Sequence, residues 1–217
     1  MAAAWQVLGR SLSDLWDNVY LAAFCSLTWL AAMLLIVPGP PATMALFAVA
    51  TQIAARDHFV SFGDYLRSTG RYFALGWRWG LLNLAVGLVV LVDVRTVPQL
   101  LPAPVVAPFQ LFFYLCLALW LLVNWLALAF LFKQERPDLL PALRNGAILA
   151  LKHPLFTSAV TVATALLLAI SLLLLIVNLL FGPFFAALVA VHAVADRLAL
   201  ARTTSANSTS ANSTSAR

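Results

Sequence analysis

Apolar residues run along this chain in long blocks, at 19–37, 42–55, 73–92, 108–132, 155–180 and 184–200, separated by short polar or proline-rich breaks. Most blocks approach or exceed the roughly 20 residues that a helix needs to cross the hydrocarbon core. The block at 42–55 is shorter and dotted with Thr43, Thr51 and Gln52. Strict polar/apolar alternation in ten-residue segments is absent, so an outer-membrane barrel is excluded. The pattern predicts an all-α, polytopic transmembrane helical bundle with six spans.

The breaks carry their own signals. Val37-Pro38-Gly39-Pro40-Pro41 cannot continue a helix, because proline lacks the amide donor and clashes with the preceding turn. Glycine there suits a positive φ, a conformation that a β-branched replacement resists. Gly182-Pro183 repeats the device before the last block. Gly39, Pro40, Gly182 and Pro183 are therefore read as tight hairpin turns with a structural role. Residues 93–108 contain Pro98, Pro102, Pro104 and Pro108 and read as an extended loop.

Two stretches show helical amphipathicity next to a span. In 59–73, Phe59, Phe62, Leu66, Thr69 and Phe73 share a face. In 139–152, Leu140, Leu143, Ala147 and Leu151 do so, after Asp138 as a helix cap. Both read as interfacial helices, and a shorter one lies at 4–16, with Trp5, Leu8, Leu12, Leu15 and Trp16 on its apolar side. His153-Pro154 ends the second.

Composition agrees with the pattern. Of 217 residues, 63% are hydrophobic and only 10% charged, against about 25% charged in soluble domains. The first block is too long for a signal-peptide core, and Asp14 and Asp17 precede it beside a single Arg10, so it reads as an uncleaved span. Cys25 and Cys116 sit inside apolar blocks and read as packing residues. Residues 1–202 form one transmembrane domain. Residues 203–217 repeat Ser-Ala-Asn-Ser-Thr and read as a disordered tail with nothing to bury.

Charge fixes the expected topology. Of thirteen Lys and Arg residues, six crossings put all but Arg95 on one side, which the positive-inside rule makes cytoplasmic together with both termini. If 42–55 turned back instead of crossing, the Arg56–Arg78 and Lys133–Lys152 groups would land opposite Arg10. The basic residues flank spans, where anionic lipid accounts for them, and no nucleic-acid patch is read. The tail's sequons at Asn207 and Asn212 are then on the wrong side for glycosylation.

No catalytic, cofactor or metal constellation is read. His58, His153 and His192 are far apart, and no phosphate loop or nucleophile elbow occurs. Gly76, Gly80 and Gly87 suggest close helix packing. The candidate site is an intramembrane polar layer of Gln52, Asn83, Asn124 and His192 toward the inner half of the bilayer, with Asp196 able to pair with His192 at i+4. Two readings stand: interhelical hydrogen bonding, or a small polar cavity opening to the cytoplasm.

Gly39-Pro40, Ala45-Leu46-Phe47 and the run Phe62-Gly63-Asp64-Tyr65-Leu66-Arg67-Ser68-Thr69-Gly70-Arg71 resemble the YesL-like family of bacterial integral membrane proteins. Val37, Pro41 and Gly70 depart from its pattern. The resemblance implies a bacterial inner-membrane location and a non-enzymatic accessory or regulatory role in carbohydrate uptake, with sugar transporter subunits as partners. The alternative is a small-solute transporter or channel, working alone or as an oligomer.

Overall fold

Apolar blocks in lipid must satisfy every backbone amide internally, and helices do this within one segment. The computed structural model describes residues 2–56, 60–100, 102–172 and 175–215. Among them the chain forms α1 (Ala2–Asp17), α2 (Val19–Leu34), α3 (Gly39–Ala54), α4 (Phe62–Arg71), α5 (Phe73–Leu100), α6 (Ala103–Leu131), α7 (Leu139–Lys152), α8 (Pro154–Leu172) and α9 (Leu175–Ser215). No strand occurs among the described residues. The protein is a multi-pass helical bundle.

Among the described residues, four helical segments are long and apolar enough to cross a membrane: Phe73–Leu100, Pro104–Leu131, Pro154–Ser171 and Val177–Thr203. A fifth arises if α1 and α2, which meet at 93°, form one broken span. The expected count of six comes down to four or five on this criterion. The reason is length: α2 and α3 have 16 residues each, about 24 Å of rise.

The core is built on α3 and α9. Residues 41–50 of α3 are buried without interruption, as are Phe184, Phe185 and all of 187–191 on α9. α2, the start of α5 and the last two turns of α6 close around them. α3 can be short because protein, not lipid, surrounds it.

The α2–α3 turn differs from expectation in one respect. Gly39 and Pro40 lie in the first turn of α3, where Pro is tolerated because its missing N–H has no intrahelical partner. The left-handed backbone belongs to Ile36, at φ 63°, and none of the described glycines has a positive φ. Trp29 Nε1 donates to Thr43 Oγ1 at 3.0 Å across the hairpin. What the glycines supply is room. A Cβ on Gly76 would meet the Pro41 nitrogen at 2.6 Å, and one on Gly80 would meet Pro40 Cγ at 2.8 Å. The N-terminus of α3 thus seats on two glycines of α5, while Gly87 has nothing within 4 Å.

Gly182-Pro183 is not a turn. Both residues lie inside α9, downstream of its start at Leu175. Ser171 Oγ of α8 donates to Asn178 Oδ1 of α9 at 3.1 Å. Gly182 is buried against Asn178 and Leu168. One proline costs a helix one backbone bond, which surrounding packing can offset. The same holds for the expected loop at 93–108: Pro98 lies within α5 and Pro108 within α6, and the two helices are separated only by residues 101–102. α9 also continues through the Ser/Asn repeat to Ser215, where propagation from a formed helix needs no new nucleus.

The amphipathic helices dock by faces other than those expected. On α4 the buried residues are Tyr65 and Ser68, with Phe62 stacked at 6.0 Å on Tyr65, while Leu66 and Phe73 stay exposed. Phe59 lies outside the described residues. α7 is capped as expected, Asp138 Oδ1 accepting from Leu140 N at 3.4 Å. It buries Ala142, Gly146, Leu149 and Ala150 and leaves Leu140 and Leu151 outward. A Cβ on Gly146 would meet Val123 O at 2.8 Å. Small residues let α7 approach α6 closely, and the large leucines face outward. α1 likewise turns Val7, Leu8 and Ser11 inward and Trp5, Leu12 and Trp16 outward.

Two expected outcomes follow from this packing. Gly76→Ala should destabilise the bundle by about 1–3 kcal/mol, the usual cost of overpacking, whereas Gly87→Ala should leave the thermal midpoint in detergent unchanged or slightly higher. At the start of α4, Asp64 Oδ2 accepts from Ser61 Oγ at 2.7 Å and Ser61 N at 2.9 Å. The Ser61 hydroxyl, then its N–H, and then Arg67 hold the Asp64 carboxyl below its usual value. A depressed folded value means that the stabilisation is full above the ordinary aspartate range, near 3.9, and is lost as pH falls through the folded value. Protection factors of α4 amides, corrected for the intrinsic pH dependence of exchange, should therefore fall on acidification in the wild type, and this acid response should vanish in Asp64→Asn.

Candidate functional site

α5 and α6 each carry a Trp-x-x-x-Asn element, Trp79 with Asn83 and Trp120 with Asn124. A four-residue interval puts both side chains on one helix face. Packing α5 against α6 turns these two faces toward each other. Trp79 Nε1 donates to Asn124 Oδ1 at 3.0 Å, and Trp120 Nε1 donates to Asn83 Oδ1 at 3.0 Å. Each amide nitrogen donates back to its own helix: Asn83 Nδ2 to Trp79 O and Asn124 Nδ2 to Trp120 O, both at 2.9 Å. Asn83 Nδ2 also reaches Asn124 Oδ1 at 3.2 Å. The arrangement is reciprocal and closed. Both amides have donors and acceptors engaged, which is what burial at 3% exposure for Asn124 demands.

His192 belongs to a different cluster. α1 crosses α9 and brings Asp14 Oδ2 to 2.7 Å from His192 Nε2. The side chains are 12% and 24% exposed, His192 first. Sequence spacing suggests Asp196 as the partner, but Asp196 Oδ2 lies 3.4 Å from Arg197 Nη2 instead. An i+4 neighbour is merely within reach, whereas α1 delivers a carboxylate directly onto the ring. Arg197 in turn lies over Phe156, with 3.4 Å from its guanidinium carbon to the ring centroid.

The expected polar layer is therefore divided. Asn83 and Asn124 meet, His192 meets Asp14, and Gln52 stands half-buried near the end of α3. His58 lies outside the described residues. Trp79, Trp120 and Asp14 are the site residues that the sequence reading missed. The two Trp-x-x-x-Asn elements were visible as a repeat, but Asp14 gave no signal, because its partner lies 178 positions away.

The principal cavities lie elsewhere. One of about 440 Å³ has Trp29, Thr43, Trp125 and Asn178 in its wall. Apolar grooves of about 350 and 580 Å³ run along α1 beside Trp5 and Leu8. None of these is lined by Gln52, Asn83, Asn124 or His192. A fourth, of about 500 Å³, is basic and includes Lys152 and Arg197. At the end of α6, burial and then the charge of Arg202 push the Lys133 ammonium below its usual value. No group of three or more His, Cys, Asp or Glu side chains able to hold a metal occurs among the described residues.

Chemically, the amide clasp offers neither a nucleophile nor a titrating group. It ties α5 to α6. The Asp14–His192 contact ties α1 to α9. Compared with known proteins, the chain matches no family model, no curated protein and no solved structure.

If the Asp14–His192 contact acts as a tie, His192→Leu should lower thermal stability in detergent by about 1–3 kcal/mol, because Asp14 is left without its partner. Adding Asp14→Leu should recover most of the loss, as replacing both partners removes the stranded charge. Equal melting of wild type and His192→Leu would show that the contact contributes nothing.

Proposed function

We propose that this chain is a non-enzymatic accessory or regulatory protein of a bacterial inner membrane, acting with a carbohydrate uptake system. The observation that carries the accessory role is the contrast between inside and outside. The mid-helix amides Asn83 of α5 and Asn124 of α6 are engaged with each other and with Trp79 and Trp120. The 18-residue apolar window of α5 is 0% buried and that of α6 only 22%. A long apolar hairpin with closed polar groups offers helix faces to lipid or to a partner's helices, as a companion subunit requires.

The carbohydrate connection rests on the resemblance of Gly39-Pro40, Ala45-Leu46-Phe47 and the Phe62–Arg71 helix to the YesL-like pattern. Cytoplasmic termini and six crossings rest on the charge distribution, with α2 and α3 as short spans sheltered by their neighbours. In that topology anionic lipid faces the basic flanks.

A second reading, a small-solute transporter, is favoured by the 440 Å³ cavity with Thr43 and Asn178 in its wall. The two readings part in one experiment. Full-length tagged protein is drawn from native membranes and also reconstituted alone into vesicles. An accessory protein co-purifies with sugar transporter subunits and gives no sugar flux by itself. Flux from the purified chain alone would favour the transporter and sink the accessory reading.

A further inference from the structure

On the α1/α8 face a basic cavity opens into an apolar groove. The cavity, of about 500 Å³, is lined by Lys152, His153, Phe156 and Arg197 together with Ala4 and Leu155. The groove, of about 580 Å³, shares Ala4, Leu155 and Ala159 with it and continues along α8 past Val162 and Leu166 to Ile170. Leu155 to Ile170 is roughly 22 Å of helix. The basic end lies at the α7–α8 break, where the apolar helix begins and the headgroup layer is expected.

Arg197 is held ready for an anion. Its side chain is only 14% exposed, fixed over Phe156, with Nη2 at 3.4 Å from Asp196. Its Nε is buried without a hydrogen-bond partner, an arrangement that favours an added acceptor. Asp196 neutralises one edge of the guanidinium. Lys152 is exposed at the same mouth and leaves the cavity net positive, with the His153 ring beside it as a further polar group. The positive end of the α8 dipole adds to it.

A free phosphate ion has no use for the groove, and a neutral lipid has no use for the basic side chains. We propose that this face holds one anionic phospholipid, its phosphate in the Lys152–His153–Arg197 cavity and an acyl chain in the groove between α1 and α8. Charge and shape are both matched only by a molecule with an anionic head and a long apolar tail.

The test uses the full chain in nanodiscs of equal phosphatidylglycerol and phosphatidylcholine, released and weighed by native mass spectrometry. One phosphatidylglycerol should be retained per chain in preference to phosphatidylcholine. Lys152→Gln and His153→Gln replace exposed side chains that the fold does not need. The lysine change should cut the preference by about fivefold, the worth of one basic side chain at a membrane surface. Val162→Trp, from an exposed position in the groove, should remove the retained lipid while the thermal midpoint stays put. Equal retention of the two lipids by the wild type would overturn the proposal, as would a preference unchanged in Lys152→Gln. Retention unaltered by Val162→Trp but abolished by inorganic phosphate would mark a free-anion site and overturn the lipid assignment.

Discussion

Everything in this bundle depends on the burial of α3 against α9. A helix of 16 residues is too short to face lipid comfortably over its whole length, and Thr43, Thr51 and Gln52 add polar groups to it. Enclosure by protein removes both difficulties. The enclosure works because Gly76 and Gly80 remove side-chain volume where the Pro40-Pro41 end of α3 must sit. In lipid, where apolar burial between helices yields little, close backbone approach is a main source of association. Two glycines and two prolines thus set the position of the central helix.

Polar contacts then fix which helices are neighbours. The reciprocal Trp–Asn clasp specifies α5 with α6, Asp14–His192 specifies α1 with α9, and Trp29–Thr43 specifies α2 with α3. Trp125 Nε1 adds a bond to the Ala186 carbonyl, joining α6 to α9. Each such bond is modest in a membrane, about 0.6 kcal/mol on average. Their value lies in selectivity, since a wrong pairing leaves an indole or amide without a partner.

Much of this was legible in the sequence. Apolar blocks gave the helices, Asp138 and His153-Pro154 gave the ends of α7, and Gly76 and Gly80 pointed to close packing. What failed was local punctuation. Pro98, Pro108 and Pro183 read as breaks, yet each lies within a helix, because a proline removes one bond and does not forbid the rest. The amphipathic faces of α4 and α7 were also misjudged. In water the large apolar residues go inward, but a bilayer accepts Leu66, Leu140 and Leu151 on the outside and leaves small residues for the interface. His192 found Asp14, not Asp196, because tertiary crossing beats proximity along one helix.

The central place of α3 has a consequence for the order in which the molecule is made. The helix is translated well before the surface that covers it on one side, around Phe184–Val194 of α9. Until then Gly39–Ala54 waits with that flank open to lipid or to the insertion machinery. Final burial of the centre is thus an event of assembly after insertion, and α9 is the piece that closes it.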